Sequence, residues 1–192
     1  KIIGNLFKHQ ITHLFVDVGD IDQYGSLISD QEITQFINSV KRYEQESSYN
    51  FILLPYTEII VGQYSLTSEF RSNLIKNYRN LINLGFNGAF LDIEKIPFDQ
   101  REIYISFIEK LKQNLPKNSI IAVYAGGLNN NKDNEWEWDK NLYEEVSKKA
   151  DLIIVPAYDT EIKDAKLYLV HISDQINQIM KINPYLKAKF IL

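Results

Sequence analysis

The sequence contains no cysteine, which excludes a disulfide framework, a zinc–thiolate site and a catalytic thiol. It also lacks an excess of positive charge, because 21 Lys and Arg against 25 Asp and Glu give a formal net charge of −4. Binding to nucleic acid requires a basic face, so this balance argues against a nucleic-acid-binding protein. No apolar run reaches the roughly 18–20 residues of a membrane-spanning helix. The 192 residues, 45% of them hydrophobic, are enough to form the core of one domain.

Apolar residues follow two alternating periodicities along the chain. Short, nearly continuous apolar runs predict buried strands, and apolar residues at helical spacing predict helices between them. The predicted strands are 11–18, 50–56, 88–94, 119–127, 151–159 and 187–192. The predicted helices are the end of one at 1–10, followed by 31–46, 68–85, 98–116, 138–149 and 163–182. This alternation is typical of a parallel sheet covered by helices.

Two architectures fit this pattern, a doubly wound open sheet and an eight-stranded barrel. The sequence has no G-x-G-x-x-G or P-loop motif of the kind that many nucleotide-binding open sheets carry. Polar side chains recur instead where the predicted strands end: Asp17, Tyr56, Asp92, Glu94, Tyr124, Tyr158 and Asp159. Barrel enzymes carry their chemistry at this end of the strands. We therefore predict an α/β fold of the (β/α)8 TIM-barrel type.

The number of predicted strands is smaller than a barrel requires. Six strands are visible, whereas a complete barrel of this type has eight strands and about 250 residues. We expect residues 1–192 to form a single barrel domain or the greater part of one, as an excerpt of a longer protein that lacks one strand at each side. The alternative is a genuine open sheet with protected edges.

The segment GFNGAFLDIE (85–94) contains the strongest candidates for chemistry. Asp92 and Glu94 are two residues apart on a predicted strand, so both point to the same side, which in a barrel is the lumen. An apolar wall and a neighbouring carboxylate both disfavour ionisation of Glu94. A protonated Glu94 can act as a general acid, with Asp92 as its charged partner. A cation site or a helix cap is the other reading of such a D-x-E motif.

This segment resembles the D-x-x-D-x-D-x-E signature of glycoside hydrolase family 18, the chitinases and endo-N-acetylglucosaminidases. The four acidic positions of that signature are Asn87, Phe90, Asp92 and Glu94 here, so the last two match. A second family motif, M-x-Y-D, is matched two predicted strands later by PAYD (156–159), with Pro156 in place of the Met. The order and spacing of the two motifs agree with strands 2 to 7 of the family barrel.

The resemblance implies hydrolysis of an N-acetylated amino-sugar glycan with retention of configuration, assisted by the substrate's own acetamido group. Glu94 is then the proton donor, and Asp92 holds the acetamido N–H and stabilises the cyclic intermediate. Tyr158 hydrogen-bonds the acetamido oxygen, and Asp159 contacts the sugar or orients its neighbours. The resemblance implies no cofactor and no metal. It favours an extracellular or cell-surface location.

Three departures from the family pattern separate this sequence from a typical chitinase. Phe90 replaces an inner aspartate that in the family shares a proton with the equivalent of Asp92, and Asn87 replaces the first aspartate. The family motif S-x-G-G is absent, and LLPYTE (53–58) stands in its place, so that Tyr56 or Glu58 lines the cleft instead. A catalytically inactive carbohydrate-binding relative is therefore a serious alternative, and a barrel glycosidase of another family is a third hypothesis.

Weaker candidates surround this centre. Trp136 follows the predicted strand 119–127, and its ring is placed to stack on a sugar face or to pack on the barrel rim. Asp17 lines the pocket or caps the turn that follows it, and Tyr124 reaches the lumen or simply fills it. The three histidines have no metal-binding spacing. We expect a glycan as the partner and no nucleic acid or membrane span. The oligomeric state is left open.

Overall fold

The computed structural model describes residues 2–28, 32–47, 49–61, 66–128, 134–155, 162–182 and 189–191. Its helices are α1 (Ile2–Lys8), α2 (Glu32–Ser47), α3 (Ser68–Leu84), α4 (Arg101–Asn114), α5 (Lys140–Ser147) and α6 (Ala165–Ile182), with a 3-10 turn at Phe98–Gln100. Its strands are β1 (His13–Asp17), β2 (Ile52–Tyr56), β3 (Glu58–Ile60), β4 (Gly88–Glu94), β5 (Ile120–Tyr124), β6 (Leu152–Ile154) and β7 (Lys189–Ile191). Each predicted strand and helix is therefore present, most of them shorter than predicted.

The strands pair in parallel and in chain order. One ladder joins β1 to β2, and a second runs through β3, β4, β5, β6 and β7. Only Thr57 separates β2 from β3, so these two short strands occupy one position and the described chain has six consecutive positions. A doubly wound sheet reverses its strand order, and no such reversal occurs among the described residues. The fold is an incomplete barrel of the (β/α)8 type, as predicted.

The side chain of Asn87 joins the two ladders at their lower end. Its Oδ1 accepts a hydrogen bond from the backbone N–H of Leu53 at 2.7 Å, and the backbone N–H of Asn87 donates to the Leu53 carbonyl oxygen at 2.8 Å. At the upper end the N–H of Val61 donates to the carbonyl oxygen of Glu94 at 3.0 Å. The chain from β2 through β3 is thus bound along β4 at both ends.

Close approach of the next strand requires a glycine at the start of β4. A Cβ atom built on Gly88 would lie 1.9 Å from the carbonyl oxygen of Ile120 on β5. Any larger residue would therefore push β5 away from β4 and disturb the ladder between them.

The pleat of the strands divides the buried side chains into two layers. Leu53, Leu91, Val123 and Ile153 face the helices and belong to the large outer core. Leu54, Phe90, Ala122 and Leu152 face the other way and form a smaller inner cluster. This inner side is the lumen of the barrel, and it carries the candidate site. None of the described helices is both long and apolar enough to cross a membrane.

Candidate functional site

The lumen side of β4 ends in two carboxyl groups. Asp92 and Glu94 alternate with Ile93, which is fully buried in the outer core, so both acidic side chains point to the lumen. Asp92 retains only 4% of its accessible surface, whereas Glu94 at the strand end is half-buried. Both acidic side chains therefore lie on the lumen side at the end of β4, and the roles assigned to them stay predictions.

Asp92 has an environment that disfavours its charged form. Burial, followed by the charges of Glu94 and Glu58, raises the pKa of Asp92 to about 7, while a hydrogen bond with Tyr56 acts in the opposite direction. Its Oδ1 atom is buried and has no hydrogen-bond partner among the described residues. Asp92 thus has a hydrogen bond with Tyr56 and a second, buried oxygen that no described residue satisfies.

Tyr56 is a hydrogen-bond donor across the whole physiological range. Burial, assisted by the charges of Asp92 and Glu58, raises the pKa of Tyr56 to about 12. Its hydroxyl therefore keeps its proton when Asp92 ionises, and the hydrogen bond strengthens as the carboxylate forms. Tyr56 stands where the sequence lacks the S-x-G-G motif, and the expectation that it lines the cleft agrees with its position.

An aromatic layer lies below the two carboxyl groups. The ring of Phe90 is stacked with that of Tyr56 at a centroid distance of 5.9 Å and tilted against that of Phe15 at 4.7 Å. Phe90 itself is buried, and the inner cluster around it includes Leu54 and Tyr124. This layer packs on the lumen side of the strands, next to the carboxyl group of Asp92 on β4.

Two buried tyrosines lie on the helix side of β4. Tyr78 of α3 donates a hydrogen bond from its hydroxyl to the backbone carbonyl oxygen of Phe90 at 2.6 Å. The hydroxyl of Tyr104 on α4 is buried without a partner among the described residues. Burial raises the pKa of both phenols, so both are neutral and add no charge to the surroundings of Asp92.

Asp17 and Tyr124 lie at the same edge of the sheet as the carboxyl pair. Asp17 is the register partner of Tyr56, and its Oδ1 accepts a hydrogen bond from the N–H of Gly19 at 2.9 Å, so it caps the turn after β1. Tyr124 packs against the inner cluster and is half-buried. Continuation of the register that pairs Leu91 with Val123 places Tyr124 beside Asp92.

Trp136 is the exposed aromatic residue of the loop between β5 and α5. It keeps 49% of its accessible surface, and the ammonium group of Lys95 lies 5.8 Å from its ring centroid. Lys95 directly follows Glu94, which connects this ring to the end of β4. Trp138, by contrast, is 2% exposed and packs edge-on against Tyr104 and Tyr143.

A buried ion pair holds the loop that carries Trp136. The guanidinium group of Arg101 contacts Asp139 at 2.8 Å and donates to the carbonyl oxygen of Glu137 at 2.9 Å. The ring of Phe98 covers the same guanidinium at 3.9 Å. The contacts of Arg101 therefore hold the loop that carries Trp136 in place.

Tyr158 and Asp159 lie in residues 156–161, outside the described part of the chain, and their assignments stay predictions. Among the described residues no group of three or more His, Cys, Asp or Glu side chains has the geometry to hold a metal ion.

Solved structures of several chitinases share this arrangement of strands and helices. A chitinase from Chromobacterium violaceum has a TM-score of 0.70 at 14% identity, covering 98% of this chain and 63% of its own. The chain has the barrel fold of the chitinases. The spore cortex-lytic enzyme SleL from Bacillus cereus gives a TM-score of 0.71 at 13% identity, covering 99% of this chain and 46% of its own. The chitinase domain of the spore coat protein CotE from Clostridium difficile gives 0.66 at 16% identity, covering 94% and 59%.

The resemblance predicted from the two motifs is thus confirmed at the level of the fold. The chain spans 46% to 63% of the length of these three chitinase-like structures. No protein-family model matches the sequence, and no curated protein matches it either.

Two contributors to the site did not appear among the predicted site residues, and a third, Glu58, was expected only as an alternative to Tyr56 at the cleft. Phe15 and Tyr104 sit inside apolar patterns that predict only core, and nothing in the sequence distinguishes them. Glu58 is different, because the period of two that runs through Tyr56 continues past Thr57 and indicates the same face. That signal was present in the sequence but led only to a general expectation about the cleft.

Proposed function

We propose that this protein is a glycoside hydrolase that cleaves β-linked N-acetylated amino-sugar glycans, chitin-like or peptidoglycan-like, by a retaining, substrate-assisted mechanism. The observation that carries the proposal is the carboxyl pair at the lumen end of β4. Asp92 and Glu94 point to the same lumen side of β4, and the buried Oδ1 atom of Asp92 has no partner among the described residues. A buried acceptor of this kind is costly unless a ligand satisfies it.

Glu94 is the general acid in this proposal. It gives its proton to the glycosidic oxygen while the bond from that oxygen to the anomeric carbon breaks. The acetamido oxygen of the same sugar attacks the anomeric carbon and forms a cyclic oxazolinium-like intermediate. Water then opens the ring with the ionised Glu94 taking its proton, so the enzyme returns to its starting state.

Asp92 supports the reacting acetamido group. Its free oxygen accepts the acetamido N–H, and the anionic form stabilises the positive charge that develops on the ring nitrogen. The hydroxyl of Tyr56 holds the other carboxyl oxygen and fixes the side chain in that orientation. Tyr158 and Asp159 contribute as the PAYD motif implies, with the phenol on the acetamido oxygen. Trp136 offers a ring face to a neighbouring sugar.

A second candidate function is carbohydrate binding without turnover. The specific observation in its favour is the aromatic layer of Phe15, Tyr56 and Phe90 directly beneath Asp92. An apolar floor suits the binding of a sugar face but supplies no additional acid or base. Under this alternative the protein retains a chitin-type ligand and releases it unchanged.

The test compares Glu94→Gln with the wild-type chain on oligomers of N-acetylglucosamine. We expect Glu94→Gln to reduce cleavage by at least about 10³-fold, because the amide has no proton to donate, and to leave binding within a few-fold. Asp174→Asn, which removes an exposed charge on α6, serves as the control and should cleave like the wild type. Equal turnover by Glu94→Gln and the wild type would exclude Glu94 as the acid. Binding without any wild-type cleavage would favour the second candidate.

A further inference from the structure

We infer that Glu58 is a positioning residue of this site, which faces Asp92 across neighbouring strands and thereby raises the pH at which Asp92 becomes an anion. The catalytic consequence of this inference rests on the proposed function, whereas the pairing itself does not. Neither of the two sequence motifs includes Glu58.

The backbone places the two carboxyl groups side by side. Glu58 of β3 and Asp92 of β4 are register partners in a parallel ladder, so their Cα atoms lie on adjacent strands roughly 5 Å apart. The next pair along the ladder, Ile59 and Ile93, is fully buried in the outer core. Since successive side chains alternate, Glu58 and Asp92 share the lumen side.

The two carboxyl groups differ in their access to water. Asp92 is 4% exposed, whereas Glu58 belongs to the exposed residues at the rim. No ion pair of the described residues includes either of them. Two adjacent carboxylates without a cation are most stable when one carries a proton. A negative charge costs more at the buried Asp92, so the charge of Glu58 favours the protonated form of Asp92.

Other groups also face Asp92, and burial and the charge of Glu94 raise its pKa more than the charge of Glu58 does. The groups that face Asp92 come from every element packed against it: Tyr56 on β2, Glu58 on β3, Glu94 on β4, Tyr124 on β5, Tyr78 on α3 and Tyr104 on α4. The phenols of Tyr56, Tyr78 and Tyr104 have raised pKa values and stay neutral. Glu94 contributes charge from the same strand, but as the proposed acid it changes its own protonation during turnover. Glu58 is therefore the acidic neighbour of Asp92 that takes no part in the proposed proton transfer.

The first measurement is the titration of the Asp92 carboxyl carbon by nuclear magnetic resonance in the full chain, with Asp92→Asn used to assign the signal. We expect the midpoint, about 7 in the wild type, to fall by roughly half a unit to one unit in Glu58→Gln. Glu58→Asp keeps the negative charge, so the titration midpoint of Asp92 should stay close to its wild-type value in this variant. Glu102→Gln, the same charge change on the exposed side of α4, should leave it unchanged.

The second measurement is the pH profile of kcat/KM on N-acetylglucosamine oligomers. The acid limb should move to lower pH in Glu58→Gln by the same amount, with Glu102→Gln as the control. An Asp92 midpoint that does not move in Glu58→Gln overturns the inference, and so does a change in KM with no shift of the acid limb, which would make Glu58 a sugar contact. If the wild type cleaves nothing, the proposed function fails while the titration still decides the pairing.

Discussion

The hydroxyl of Tyr56 on β2 and the carboxyl of Asp92 on β4 form a hydrogen bond between neighbouring strand positions on the lumen side of the barrel. This bond favours the ionised form of Asp92, while burial and the charges of Glu94 and Glu58 favour the protonated form. The balance raises the pKa of the Asp92 carboxyl group to about 7. Such a group is suited to recognition of an amide N–H.

The raised pKa of Asp92 makes the stability of the protein dependent on pH. The native state holds the proton more tightly than the unfolded state between the ordinary value of 3.8 and about 7. The contribution of Asp92 to the free energy of unfolding is therefore fully present at low pH. It decreases as the pH rises through this window, by at most about 1.4 kcal/mol per pH unit. We expect Asp92→Asn to lack this component, so its stability relative to the wild type should increase from pH 4 to pH 8. Urea unfolding at both pH values checks this, and a constant difference between the two proteins would contradict it.

Replacement of Tyr56 by phenylalanine should raise the midpoint of the Asp92 titration above its wild-type value. The variant retains the ring that stacks on Phe90 and removes only the donor that lowers the pKa of Asp92. Carboxyl-carbon titration gives the midpoint directly. Tyr49→Phe is the matched control, because its hydroxyl donates to the carbonyl oxygen of Ile11 instead. A midpoint that is equal or lower in Tyr56→Phe would show that this hydrogen bond does not act on Asp92.

Removal of the Asn87 side chain should weaken the hydrogen bonding between β2 and the start of β4. In Asn87→Ala the N–H of Leu53 loses its acceptor, and we expect a loss of roughly 1–2 kcal/mol in the free energy of unfolding. Asn87→Asp keeps an acceptor at the same position and should lose less. Chemical unfolding of the three proteins measures both changes. Equal losses in the two variants would mean that the hydrogen bond contributes nothing and that the amide itself is required.

The two tryptophans of the loop after β5 should have different roles, Trp136 in ligand binding and Trp138 in the stability of the fold. Trp136→Ala should weaken binding of N-acetylglucosamine oligomers roughly five- to tenfold and leave the melting temperature unchanged, because the ring is half exposed. Trp138→Ala should destabilise the fold by about 3–5 kcal/mol, because its ring is buried against Tyr104 and Tyr143. Calorimetric binding and thermal unfolding test the pair. Unchanged binding by Trp136→Ala would remove that residue from the site.

The sequence by itself determined the sequence of elements and the position of the acidic pair. Alternating periodicity is a local property, since a buried strand must be apolar and a covering helix must be amphipathic. For the same reason Asp92 and Glu94 on one strand had to face one side, whatever surrounded them. The chitinase resemblance followed from residues close together in the chain, and the fold bears it out.

Only the tertiary structure decided which groups act on these two carboxyl groups. The hydrogen bond from Tyr56, the register of Glu58 with Asp92 and the proximity of Tyr78 and Tyr104 join residues that are far apart in the chain. Sequence reasoning assigned the protonated role to Glu94 from its expected apolar wall, and that assignment stays a prediction. The structure places the strongly buried position one pleat deeper, at Asp92, because burial depends on the neighbouring strands and helices rather than on the strand that carries the residue.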